Sequence, residues 1–72
     1  MNRIDICTEY ITVSAFLKLA GAVMSGGEAG DAISRGLVKV DGEICVQKRK
    51  KLFAGQVVGI NGIDYEVVKK CT

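Results

Sequence analysis

Leu37-Val38-Lys39-Val40-Asp41-Gly42-Glu43-Ile44-Cys45-Val46 is the stretch that decides the fold. Val38 and Val40 alternate with Lys39, the period of a half-buried strand. Asp41-Gly42 is a hairpin turn signal, because a tight two-residue turn needs positive φ and these residue types tolerate it. On the return strand Ile44 and Val46 alternate, as the apolar set, with Glu43 and Cys45.

Downstream of this hairpin, Ala54-Gly55 reads as a turn, residues 57–60 as a third strand, Asn61-Gly62 as a second hairpin turn and residues 63–68 as a fourth strand. Upstream the period changes from two to that of a helix. Ser25 followed by Glu28 has capping-box spacing, Ala29, Ala32 and Ile33 form an inner stripe, and Gly36 stops the helix. Ahead of it, Thr12 introduces a first helix in which Val13, Phe16, Leu17 and Ala20 share a face, and Gly21 ends it. Tyr10-Ile11 is read as a short strand before that helix. The expected fold is α+β: two short helices packed on a small antiparallel sheet of about four strands. Residues 10–68 form the domain, with residues 1–9 as an extension and 69–72 as a tail.

A chain of 72 residues with 49% apolar content has surface for one core. The spacing of Cys7, Cys45 and Cys71 suits neither a disulfide framework nor a zinc site of paired Cys-x-x-Cys type. They read as reduced thiols serving as small hydrophobes, with Cys71 in a frayed tail. The first ten residues carry Asp5 and Glu9 beside Arg3, and the apolar stretch 11–24 is broken by Lys18, so neither a targeting signal nor a membrane span is read. The expectation is a cytoplasmic monomer.

No histidine occurs, which excludes Ser-His and Cys-His nucleophile pairs and imidazole metal ligands. The carboxylates are spread singly, so no acid/base pair can be picked. We therefore expect no catalytic residue, metal, cofactor or small-molecule substrate. Residues 21–26 have the glycine spacing of a phosphate loop, but Gly27 and Glu28 stand where lysine and Ser/Thr are needed. Gly26 and Gly27 still leave helix-start N–H groups unshielded, so a single phosphate could approach them; taken alone, this is an ordinary capped helix start.

Charge is unevenly spread. Residues 1–34 sum to −2 and residues 35–72 to +4, with Lys48-Arg49-Lys50-Lys51 as the densest cluster. Lysines on a strand edge deter sheet-to-sheet pairing, but two would suffice for that. Four consecutive cations repel one another and gain most when a polyanion lies across them, which favours binding. Tyr10, Phe16, Phe53 and Tyr65 are few and Phe16 reads as buried, so backbone and shape recognition of structured RNA is favoured over base-by-base reading.

Taken together, Leu17 with Gly21, Ser25-Gly26-Gly27-Glu28-Ala29, Gly36-x-Val38-x-Val40-Asp41-Gly42, Lys48-Arg49-x-Lys51 and Ala54-Gly55-Gln56 make a pattern over about residues 10–68. It resembles the RNA-binding domain of the ribosomal protein S-four type, the alpha-L motif found also in tyrosyl-tRNA synthetases, pseudouridine synthases and a heat-shock ribosome-binding protein. It looks closest to the stand-alone bacterial YbcJ-like and YaaA-like proteins. The resemblance implies an RNA face at the start of the second helix and the adjoining β-loop, here Ser25, Gly26, Gly27, Lys39, Lys48, Arg49 and Lys51, with Lys50 completing the run. Many members carry a basic residue just after the serine and again just after the alanine, where this chain has Gly26 and Gly30. Residues 48–51 must then carry more of the face, and Gly30 should cost its helix about 1 kcal/mol relative to alanine.

The expected function is non-catalytic binding of structured RNA, ribosomal or transfer RNA, with the ribosome as a candidate partner in assembly or translation. The rival reading is a protein-interaction adaptor using the sheet face and the basic run; a thiol enzyme, which needs an exposed cysteine of depressed pKa, comes third.

Overall fold

The computed structural model describes residues 2–70, so Cys71 lies outside the described residues. In chain order the elements are β1 (Asn2–Ile6), β2 (Ile11–Thr12), α1 (Val13–Leu19), α2 (Gly26–Ser34), β3 (Val38–Val40), β4 (Glu43–Ile44), β5 (Lys51–Leu52), β6 (Val57–Ile60) and β7 (Ile63–Lys69). The main sheet has the order β1-β7-β6-β3-β4, and β2 pairs with β5 in a separate two-stranded piece.

Both helices begin and end as their sequences dictate. The Thr12 hydroxyl accepts from the Ala15 N–H at 3.3 Å, and the Ser25 hydroxyl from the Glu28 N–H at 3.2 Å, each satisfying a first-turn donor. At the far ends Gly21 and Gly36 take φ of 76° and 74°. Ala22 N–H then reaches back to the Leu17 carbonyl and Leu37 N–H to that of Ala32, while the glycine N–H groups bond Lys18 and Ile33. Each end is thus a Schellman closure that only a residue at ease in the left-handed region allows.

Phe16, Leu17, Ala29 and Ile33 from the helices meet Val38, Val58, Tyr65 and Val67 from the sheet in one core. Phe16 stands edge-on to Tyr65, ring centroids 6.5 Å apart. Alternation on β3 is as expected, with Val38 and Val40 buried and Lys39 exposed. Both two-residue turns have positive φ at each central residue, 52° and 86° at Asp41-Gly42 and 55° and 76° at Asn61-Gly62. These are type I′ hairpins, whose twist matches that of the strands.

Three features differ from expectation. On the return strand the apolar phase is inverted: Cys45 is buried, whereas Ile44 and Val46 are 62% and 63% exposed. The turn enforces this, because pairing Val40 with Glu43 and Lys39 with Ile44 puts Ile44 on the outer face beside Lys39, and Cys45 opposite Val38. Secondly, the main sheet is mixed and has five strands, because β1 adds parallel to β7 with Ile4 opposite Val67 and Arg3 opposite Glu66. Its Ile4 and Ile6 face the core, and the Arg3–Glu66 ion pair at 3.4 Å crosses the two strands. Thirdly, Lys69 belongs to β7 and the Lys70 N–H donates to the Ile6 carbonyl at 3.0 Å, so the sheet continues into residues read as a tail.

Candidate nucleic-acid interface

The basic run is fixed by its backbone. Its first residues form a turn closed by the Lys50 N–H donating to the Gln47 carbonyl at 3.2 Å. The carbonyls of Lys50 and Lys48 accept from the N–H groups of Val13 and Ser14 at 3.0 and 3.2 Å. With the Thr12 hydroxyl on Ala15, the first three donors of α1 are all satisfied, two of them by the loop. Leu52, wholly buried next to the run, pairs with Ile11 and anchors β5. Backbone groups of the loop thus turn toward α1, and its long side chains spread outward.

Lys48, Arg49 and Lys51 line a groove of about 600 Å³ together with Tyr10, Thr12 and Ser14, and Gly26 at the start of α2 lines it as well. The Lys48 stem crosses to α2 and passes over Gly30. The Lys51 ammonium sits 4.7 Å from the centre of the Tyr10 ring, and Phe53 tilts against the same ring at a centroid distance of 6.1 Å. Among the described residues the ion pairs engage Arg3, Arg35, Lys69 and Lys70, and none engages the run. The positive charge of Lys48, Arg49 and Lys51 is therefore not neutralised by any ion pair among the described residues.

The groove gathers Gly26, Lys48, Arg49 and Lys51. Ser25 and Gly27 flank Gly26 on the exposed first turn of α2, where the Ser25 hydroxyl is already engaged in capping. Lys50 turns away to a second depression with Val40, Glu43 and Ile44. Its charge is felt instead by Asp41. Hydrogen bonds from the Gln56 amide and from the Val57 N–H, assisted by Lys50, hold that carboxyl below its ordinary value against a small desolvation penalty. Lys39 projects from the outer sheet face into a third depression with Leu37, Asn61 and Asp64. Sequence reasoning left Thr12 and Ser14 out of the face, because the contact of α1 with the loop is made by backbone groups. No three His, Cys, Asp or Glu side chains among the described residues come together as metal ligands. Among the described residues no helix is long and apolar enough to cross a membrane.

A small two-helix, mixed-sheet domain with a basic β-loop strapped to the start of its first helix has the architecture of an RNA-binding alpha-L motif. The S4 domain family model matches residues 4–68, and the chain belongs to that family. It is 43% identical over 68 residues to the probable ribosome maturation protein RlbA of Bacillus subtilis, covering 93% of this chain and 96% of that protein. It is 42% identical over 59 residues to the putative RNA-binding protein YbcJ of Escherichia coli, covering 82% and 84%. The solution structure of YbcJ, described as revealing an alpha-L motif involved in RNA binding, superposes with a TM-score of 0.73 at 38% identity, over 94% of this chain and 87% of that one. Ribosomal protein S4e from Thermoplasma acidophilum gives 0.63 at 30% identity, covering 82% of this chain and 31% of its own. The match begins inside β1, in keeping with the sheet pairing of residues ahead of position 10.

Proposed function

We propose that this chain is a non-catalytic module that binds structured RNA, ribosomal or transfer RNA, in the cytoplasm, in ribosome assembly or translation. The observation that carries the reading is the convergence of Lys48, Arg49 and Lys51, which make no ion pair among the described residues, on one groove that also reaches the first residue of α2. Fixed cations in a row neutralise successive phosphates and release their counterions, and a loop held by backbone bonds has little ordering entropy left to lose on binding. Gly26 and Gly27 leave helix-start N–H groups open to one further phosphate. The name of RlbA, a probable ribosome maturation protein, supports a target in or near the ribosome, and that of YbcJ supports RNA as the ligand.

The decisive experiment measures binding to a structured RNA hairpin across a salt series, for the natural chain and for a folded variant with Lys48, Arg49 and Lys51 neutralised. Saturable, salt-sensitive binding that is lost with the three charges supports the reading. Equal binding by both chains overturns it. The adaptor reading has its own observation, the exposed Ile44 and Val46 at the β4 edge. It requires binding of a protein partner that survives the triple change and fails when Ile44 is made polar.

A further inference from the structure

Tyr10 and Phe53 are 41% and 47% exposed, although the strand pair they flank needs neither ring for its anchorage. Leu52, between Lys51 and Phe53, supplies that anchor by complete burial, and Ile11 packs against the core from β2. The two rings instead face outward as a tilted pair, 49° between planes, at the end of the basic groove that Tyr10 helps to line. The platform is held in place from both sides. The Thr8 hydroxyl donates to the Tyr10 carbonyl at 2.7 Å, and the Phe53 N–H donates to the Gln56 side-chain oxygen at 2.8 Å. The Lys51 ammonium stands over Tyr10, so a cation and an aromatic surface occupy the same spot.

Exposed aromatic surface beside positive charge that no ion pair among the described residues neutralises matches a nucleotide whose base is out of its helix. The Lys51 ammonium covers one face of Tyr10, so the base stacks on the exposed Phe53 ring beside it while the phosphate meets the ammonium. We propose that Tyr10 and Phe53, with Lys51, form a stacking subsite for a single unpaired nucleobase, so that the preferred RNA is a duplex interrupted by a bulged or flanking unstacked nucleotide. The subsite is indifferent to base identity, because every base has an aromatic face. This rests on the RNA reading above and narrows the class of RNA.

The test compares two hairpins that differ only by one unpaired nucleotide, with 2-aminopurine at that position as a stacking reporter. The natural chain should bind the interrupted hairpin at least about fivefold more tightly than the paired one and quench the reporter. In Tyr10→Ala/Phe53→Ala the ratio of the two affinities should fall to about one, because the loss falls on the interrupted hairpin beyond any loss shared with the paired one. Tyr10→Leu/Phe53→Leu, which keeps apolar volume, should behave the same way and carries the test if the alanine variant does not fold. Equal affinity of the natural chain for both hairpins, or an equal loss on both in the leucine variant, overturns the subsite while leaving the phosphate groove intact. Absence of salt-sensitive binding to either hairpin overturns the RNA reading and the subsite with it.

Discussion

The Cδ of Lys48 lies 3.8 Å from the point where a Cβ on Gly30 would stand, so a lysine stem from the β-loop covers bare backbone in the middle of α2. The sequence resemblance leads one to expect a basic side chain growing from the helix at that position. Here the helix supplies an open flank and the loop supplies the cation. Gly30→Ala should therefore meet Lys48 at ordinary contact distance and recover helix propensity, stabilising the chain by about 1 kcal/mol. Denaturant midpoints measure this; a lowered midpoint would mean that the Lys48 stem cannot share the space.

The Ser25 hydroxyl caps α2 through the Glu28 N–H. Ser25→Ala should cost about 1 kcal/mol, read as a lower denaturant midpoint with unchanged slope. An unaltered midpoint would show that the bond contributes nothing in solution.

Lys50 differs from its neighbours in direction. If Lys48, Arg49 and Lys51 each neutralise one phosphate, the logarithmic salt slope should be about −2 to −2.7, a loss of roughly 20- to 40-fold in affinity between about 50 and 200 mM salt. Lys50→Gln should leave that slope unchanged, while neutralising the other three together should flatten it by about two units or more. A slope that falls by about one for Lys50→Gln would put its side chain on the RNA as well.

Asp41 links two turns: its carboxylate accepts from the Gln56 amide and the Val57 N–H, both at 3.0 Å. Its folded pKa lies below the ordinary 3.8. The stabilisation is therefore present above the unfolded value and is lost as pH falls through the folded one. Asp41→Asn should keep the turn, since Asn61 sits at a φ of 55° in the other hairpin. It should cost about 1 kcal/mol near neutral pH. The loss of stability on going below about pH 4 should be correspondingly shallower than in the natural chain. Parallel acid limbs for the two chains would remove the carboxylate from the account.

Local chemistry made the helices and hairpins readable from sequence: Thr12 and Ser25 before each helix, Gly21 and Gly36 after, and two turn dipeptides with the required φ preference. The errors fall where long-range pairing decides. Ile44 and Val46 look like a core face, and only the count across Asp41-Gly42 shows that the partner of Lys39 must point outward. Asn2–Ile6 does carry the signal of a strand, Ile4 and Ile6 alternating with Arg3 and Asp5, but its partner lies at the other end of the chain. For the interface, the basic run was visible as composition. Its division into three side chains lining the groove and one lining the depression beside Val40 and Glu43 depends on the backbone bonds to α1, which no periodicity records.

The parallel pairing of β1 with β7 has a kinetic consequence. Asn2 lies opposite Tyr65, so this contact closes a loop spanning nearly all the described residues, and β7 is also the strand that joins β1 to β6. Closing such a loop carries its entropy cost before the contact gives anything back, which makes this edge a late event relative to the helices and hairpins. Destabilising the edge, for example by Ile6→Ala, should then accelerate unfolding while leaving the refolding rate nearly unchanged in stopped-flow measurements. The helix starts and β-loop that build the groove lie between the two paired ends, so they can assemble while the outermost strand is still searching for its partner.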